Sequence, residues 1–127
     1  MRFMMLVKHK QDQGQPPKEL MDAMAKLTED AVRNKQLHAS GGLAPLAMST
    51  RVRVSGGKVG ATDGPFTEAK EVIGGFAILE YPSKEAAVEG ALHFMDLHRQ
   101  HWPGWEGETE VRQVFGPEDM KGCQPQK

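Results

Sequence analysis

A chain of 127 residues is one domain's worth, and 39% apolar against 26% charged residues is the balance of a globular protein that builds its own core. A net charge of -1, with Lys and Arg interspersed among Asp and Glu, leaves no basic stripe for nucleic acid, and no run nears the ~20 apolar residues of a membrane helix. The single cysteine, Cys123, has no partner for an internal disulfide, and no signal pattern opens the sequence, so a cytoplasmic protein is expected.

Arg2–His9, "RFMMLVKH", predicts a first strand that is apolar on both faces in its middle, as in the interior of a sheet. The loop "KQDQGQPP" ends in Pro16-Pro17, and proline suits a helix start. From Lys18 the residues Leu20, Met24, Leu27 and Ala31 recur at helical spacing, and the pattern fades near Asn34–Gln36. Leu37–Leu46 predicts a short strand running into a Gly-Gly bend and a proline loop. "RVRVSGGKVGAT" alternates Val52 and Val54 with arginines and turns at Gly56-Gly57, the pattern of a hairpin with a largely solvated face.

"EVIGGFAILEY" predicts the next strand, with Phe76 and Ile78 on one face and Ala77, Leu79 and Tyr81 on the other. Ser83 is a suitable N-cap for a second helix, whose stripe is Ala87, Val88, Ala91, Leu92 and Met95. Glu108–Phe115 predicts a last strand, and residues 117–127 a flexible tail.

This order is β-α-β, hairpin, β-α-β, the ferredoxin-like split βαβ pattern of an α+β fold with an added hairpin, in a single domain over residues 1–116. Both helices then share one sheet face. The other face is expected to leave Met4, Leu6, Ala77 and Leu79 uncovered, which predicts a homodimer packed through the sheet.

"TDGPFTEAKEVIGGF", preceded by "GGLAP" and "RVRVSGGKV" and followed by "EVRQVF", resembles the YCII-related family in its DGPF-motif branch. The likeness runs from Met1 to about Phe115, and "ELMDAM" and "HWPGWEGE" resemble one subgroup of that branch. The resemblance implies a dimeric α+β barrel. It also implies kinship with dehalogenase-type enzymes acting on ring-derived metabolites, some members having a proposed histidine–aspartate centre. The histidine that those members carry early in the first helix has no counterpart in "PPKELMDAMAKL".

Asp63 is the first candidate for chemistry, because Pro65 preforms the turn that holds it. Read structurally, its carboxylate accepts backbone N–H groups and fixes the turn; read functionally, it is a general base or ligand anchor. His9, after the first strand, and His98, in "DLHRQHWPGW", are the candidate partners. Gly64, Pro65 and Phe66 of the turn and Gly74 and Gly75 of the strand are the candidate ligand contacts, with a β-bulge as the plainer account of the glycine pair. His98 and His101 lack an evident third metal ligand, and Trp102 and Trp105 read as anchors of the turn that ends the helix. Phosphate-loop, dinucleotide and nucleophile-elbow patterns are absent, so no cofactor or metal is expected. Two functions follow: a small-molecule binder or cofactor-independent enzyme for a small polar or ring-derived metabolite, or a non-catalytic dimeric module in which the turn is structural.

Overall fold

The computed structural model describes residues 1–10, 13–66 and 71–119. Six strands and two α-helices follow in the order β1 (Arg2–Lys10), α1 (Lys18–Arg33), β2 (Leu37–Gly42), β3 (Thr50–Ser55), β4 (Lys58–Asp63), β5 (Glu71–Glu80), α2 (Lys84–His101) and β6 (Gly107–Gln113), with one 3-10 turn at Leu46–Met48. β2, β5, β1 and β6 form one sheet in that spatial order, every neighbouring pair antiparallel. Each helical crossover therefore skips one strand, which is the split βαβ topology of a ferredoxin-like α+β fold. β3 and β4 form the separate hairpin that "RVRVSGGKV" predicts, with Gly56 and Gly57 both at positive φ in its turn. Of the predicted tail, residues 120–127 and with them Cys123 lie outside the described residues.

Helix α1 ends in a Schellman turn. Lys35 takes a left-handed φ of 57°, the Gln36 N–H reaches the Ala31 carbonyl at 2.8 Å, and the Lys35 N–H reaches the Val32 carbonyl at 3.0 Å. Helix α2 starts at the predicted cap, where the Ser83 hydroxyl accepts the Ala86 N–H at 3.1 Å. The core gathers Phe3 and Met5 from β1 with Leu20, Ala31, Ala87 and Ala91 from the helices. The Phe3 ring meets Tyr81 edge-on.

The register corrects one expectation. Met4 pairs with Ile78 and Leu6 with Phe76, whereas the buried Phe3 and Met5 pair with Leu79 and Ala77. Residues directly opposite each other share a face. Ala77 and Leu79 therefore face the helices, and the open face carries Met4, Leu6, Phe76 and Ile78. Beside Met4 and Leu6, on β6, that face turns ionic. Lys8 bonds Glu110 at 2.6 Å, and Arg112 bonds the other Glu110 oxygen.

At the strand ends away from the hairpin turn, Glu80 accepts from the Met1 amino group at 2.7 Å and pairs with the His38 imidazole at 2.8 Å. Those two partners, the amino group first, hold its carboxyl down to about 2. No helix among the described residues is long and apolar enough to cross a membrane.

Candidate functional site

The Asp-Gly-Pro-Phe turn begins where β4 ends. Asp63 stands directly opposite Thr50 across the hairpin and accepts its hydroxyl at 2.8 Å. Its carboxylate is exposed, and its donor is the side chain of the facing strand. The backbone of the turn is fixed one residue later, where the Gly64 N–H donates to the Ser49 carbonyl at 2.8 Å. A Cβ on Gly64 would lie 1.9 Å from the Leu46 carbonyl oxygen, so only glycine lets the turn sit against the 3-10 segment. Phe66 lies under the Arg51 guanidinium, 4.0 Å from ring centroid to Cζ.

The glycine pair in β5 has two separate steric reasons. The pairing of β1 with β5 passes from Val7–Gly75 to Lys8–Ile73, so Gly74 is the extra residue of a β-bulge. A Cβ there would fall 2.4 Å from His9 Nε2, which means the His9 ring occupies the room that Gly74 leaves. Gly75 admits the backbone of β2, whose Gly41 oxygen would stand 3.1 Å from an added Cβ. His9 donates Nδ1–H to the Lys10 carbonyl at 2.8 Å, since a carbonyl can only accept. Asp63 forms no hydrogen bond or ion pair with either His9 or His98.

A cavity of about 700 Å³ opens elsewhere, between the C-terminal end of α2 and the start of β6. Trp102 and Trp105 form its aromatic wall, stacked with centroids 5.9 Å apart, and Gly104 at positive φ makes the tight turn between them. Lys10, Glu71, Glu106 and Glu108 bring charge to it, and Lys10 bonds Glu106 at 2.7 Å. Thr109 pairs with Val7 in the sheet, and its hydroxyl oxygen lies out of solvent contact without a partner. A buried hydroxyl left unpaired is costly, and this one lies behind the cavity's surface, not on it.

His98 lies behind this wall without lining it. It is 5% exposed, its ring 4.6 Å from that of Trp105 and 4.7 Å from that of Phe94. Nδ1–H donates to the Phe94 carbonyl at 2.9 Å, which leaves the lone pair on Nε2. Burial pushes the imidazole below its ordinary value, against the raising effect of that hydrogen bond. The ring is therefore neutral at neutral pH. His101, three residues on, is only half-buried, and the described residues contain no group of three or more His, Cys, Asp or Glu arranged to hold a metal ion.

The model of the YCII-related domain matches residues 1–93, nearly three quarters of the chain. The chain belongs to the YCII-related family. That match takes in the Asp-Gly-Pro-Phe turn and the bulged strand, and it stops one residue before Phe94. The aromatic stack and most of the cavity wall thus lie beyond the part of the chain that the YCII-related model covers. No curated protein matches the chain.

Local sequence patterns do not reveal the cavity, because Lys10, Glu71 and Thr109 come from separate strands. "WPGW" is the visible trace of it: two tryptophans around a Pro-Gly turn that follows a helix end.

Proposed function

We propose that this YCII-related protein binds a small molecule in the cavity between α2 and β6. The observation that carries the reading is a cavity within the size range of ligand sites, walled by stacked tryptophans. His98, neutral and with its proton on Nδ1, is shut off from the cavity by Trp105, so its part is to hold that indole in place. His9 belongs to the same end of the sheet, one residue before the cavity-lining Lys10. In this reading Asp63, with Gly64, Pro65 and Phe66, closes the end of the hairpin against Ser49, Thr50 and Arg51, and the metabolite class is small, polar or ring-derived.

A thermal-shift screen against small carboxylates, lactones, phenols and amines tests this, using the wild type, Asp63→Asn and Trp102→Leu. A stabilising compound is expected to act on wild type and Asp63→Asn alike and to lose most of its effect with Trp102→Leu, which removes half of the aromatic wall. A compound that stabilises the wild type but not a well-folded Asp63→Asn would move the site to the turn. If no compound shifts any of the three proteins, small-molecule binding is the wrong reading.

The same reading has the protein act as a homodimer through its open sheet face. Met4, Leu6, Phe76 and Ile78 form an apolar patch there that no helix covers, next to an ionic margin around Glu110. Sedimentation equilibrium is expected to give twice the 14.0 kDa chain mass for the wild type. Placing a lysine at Leu6 is expected to weaken the dimer by about tenfold or more, since it leaves a charge in an apolar contact. A monomeric wild type would exclude the dimer.

A further inference from the structure

A homodimer packed through the open sheet face leaves the β3–β4 hairpin without a place in the assembly. Resting on that dimer, we propose that the hairpin is an exchanged arm, its valine face laid on the partner copy of the chain.

Neither strand of the hairpin pairs with the four-stranded sheet. A ribbon of two strands is marginal in water unless one of its faces packs on something. The register shows which face that is. Val52 stands opposite Ala61 and Val54 opposite Val59, so these four side chains share one side. Val52, Val54 and Val59 are 67%, 76% and 73% exposed. Arg51, Arg53 and Lys58 lie on the other side, which solvent suits. The arm therefore has a polar outer face and an apolar inner face that is open. Five of the twelve large apolar side chains exposed among the described residues fall between positions 43 and 59, namely Leu43, Met48 and the three valines. Single exposed apolar residues are ordinary, but such a concentration marks an interface.

Continuity and charge choose a second copy as the occupant. The arm leaves the sheet at its edge strand β2 and returns into β5, which carries Phe76 and Ile78 of the open face. A copy seated on that face lies beside the root of the arm. From Thr50 to Thr62 the arm holds three cations and no acid, so within a net charge of -1 the rest of the chain bears -4. Each copy thus offers an anionic body to the other's cationic arm, which steers the two together. The side chains of the chain's own residues 120–127 include Lys121 and Lys127 and no acid, so that segment shares the arm's sign and does not complement it.

Hydrogen exchange of the full-length protein, read by mass spectrometry on peptides covering residues 50–63, tests the arm at concentrations above and below dimer dissociation. The arm amides are expected to exchange about tenfold or more slower in the dimer. Replacing Val52, Val54 and Val59 together by threonine keeps the β-branching, and is expected to abolish that protection and weaken the dimer about tenfold or more. Circular dichroism checks the fold; Val54→Thr alone serves if the triple variant unfolds, with about a threefold weakening expected. A dimer that protects β1 and β5 while the arm exchanges equally fast at both concentrations would overturn the arm and leave the sheet contact standing. A wild type that stays monomeric overturns both. Protection that appears only with anionic phospholipid vesicles would assign the arm to a membrane surface and overturn the second copy as its occupant.

Discussion

Gly107→Ala is expected to destabilise the protein by about 2–3 kcal/mol and to move the tryptophan emission. Gly107 opens β6 opposite His9. A Cβ there would stand 2.5 Å from the Lys8 carbonyl oxygen, and 2.3 Å and 2.5 Å from two carbons of the Trp105 indole. A flexible side chain could swing aside, but a sheet carbonyl and a rigid indole ring cannot both yield. Either the β1–β6 pairing spreads at this end or Trp105 leaves its place against His98. Chemical denaturation followed by circular dichroism gives the stability, and fluorescence gives the position of the wall. The alternative would be a variant of unchanged stability and emission, which would mean that Trp105 does not pack over Gly107. The effect matters for function because the same indole is a wall of the cavity. A well-folded variant with a displaced Trp105 should also lose stabilisation by a compound that the thermal-shift screen finds.

The architecture was legible because its signals are local. Alternating valines around Gly56-Gly57 specify the hairpin, Ser83 starts α2, and the position of β1 inside the sheet follows from its apolar middle. The bulge was visible in Gly74-Gly75, although its purpose was not: the ring that fills the space belongs to His9, on another strand. Alternation told which residues of β5 share a face, but not which face of β1 they join. That depends on register, and register is a long-range fact. The cavity was hidden for the same reason. Asp63 drew attention because Asp-Gly-Pro is conspicuous in a line of text, while Thr109, one threonine among the ordinary residues of a strand, becomes notable only when burial and the lack of a partner are known. His98 was visible as a histidine near a helix end, but the sequence could not say that Phe94 and Trp105 enclose it.

His98→Gln is expected to cost about 2–3 kcal/mol at about pH 7.5 and to remove a pH dependence that the wild type shows. The loss of stability comes from the ring, which fills a buried place between Phe94 and Trp105 that a glutamine cannot pack as well. The pH dependence comes from burial, which lowers the folded-state value below the ordinary 6.5. As pH falls below about 6.5, the unfolded chain takes up the proton before the folded one does. Stability contributed by the neutral buried ring is therefore fully present above that pH and is lost progressively down to the lower folded-state value. Wild type and variant should accordingly converge between about pH 7.5 and about pH 5.5. The other histidines are common to both proteins and cancel in the difference. Parallel profiles would mean that the folded protein lets His98 titrate as freely as the unfolded chain does, and the ring would not then be a shielded base. Convergence would establish His98 as a neutral ring shielded behind the cavity wall, its protonation opposed by the packing of Phe94 and Trp105 around it.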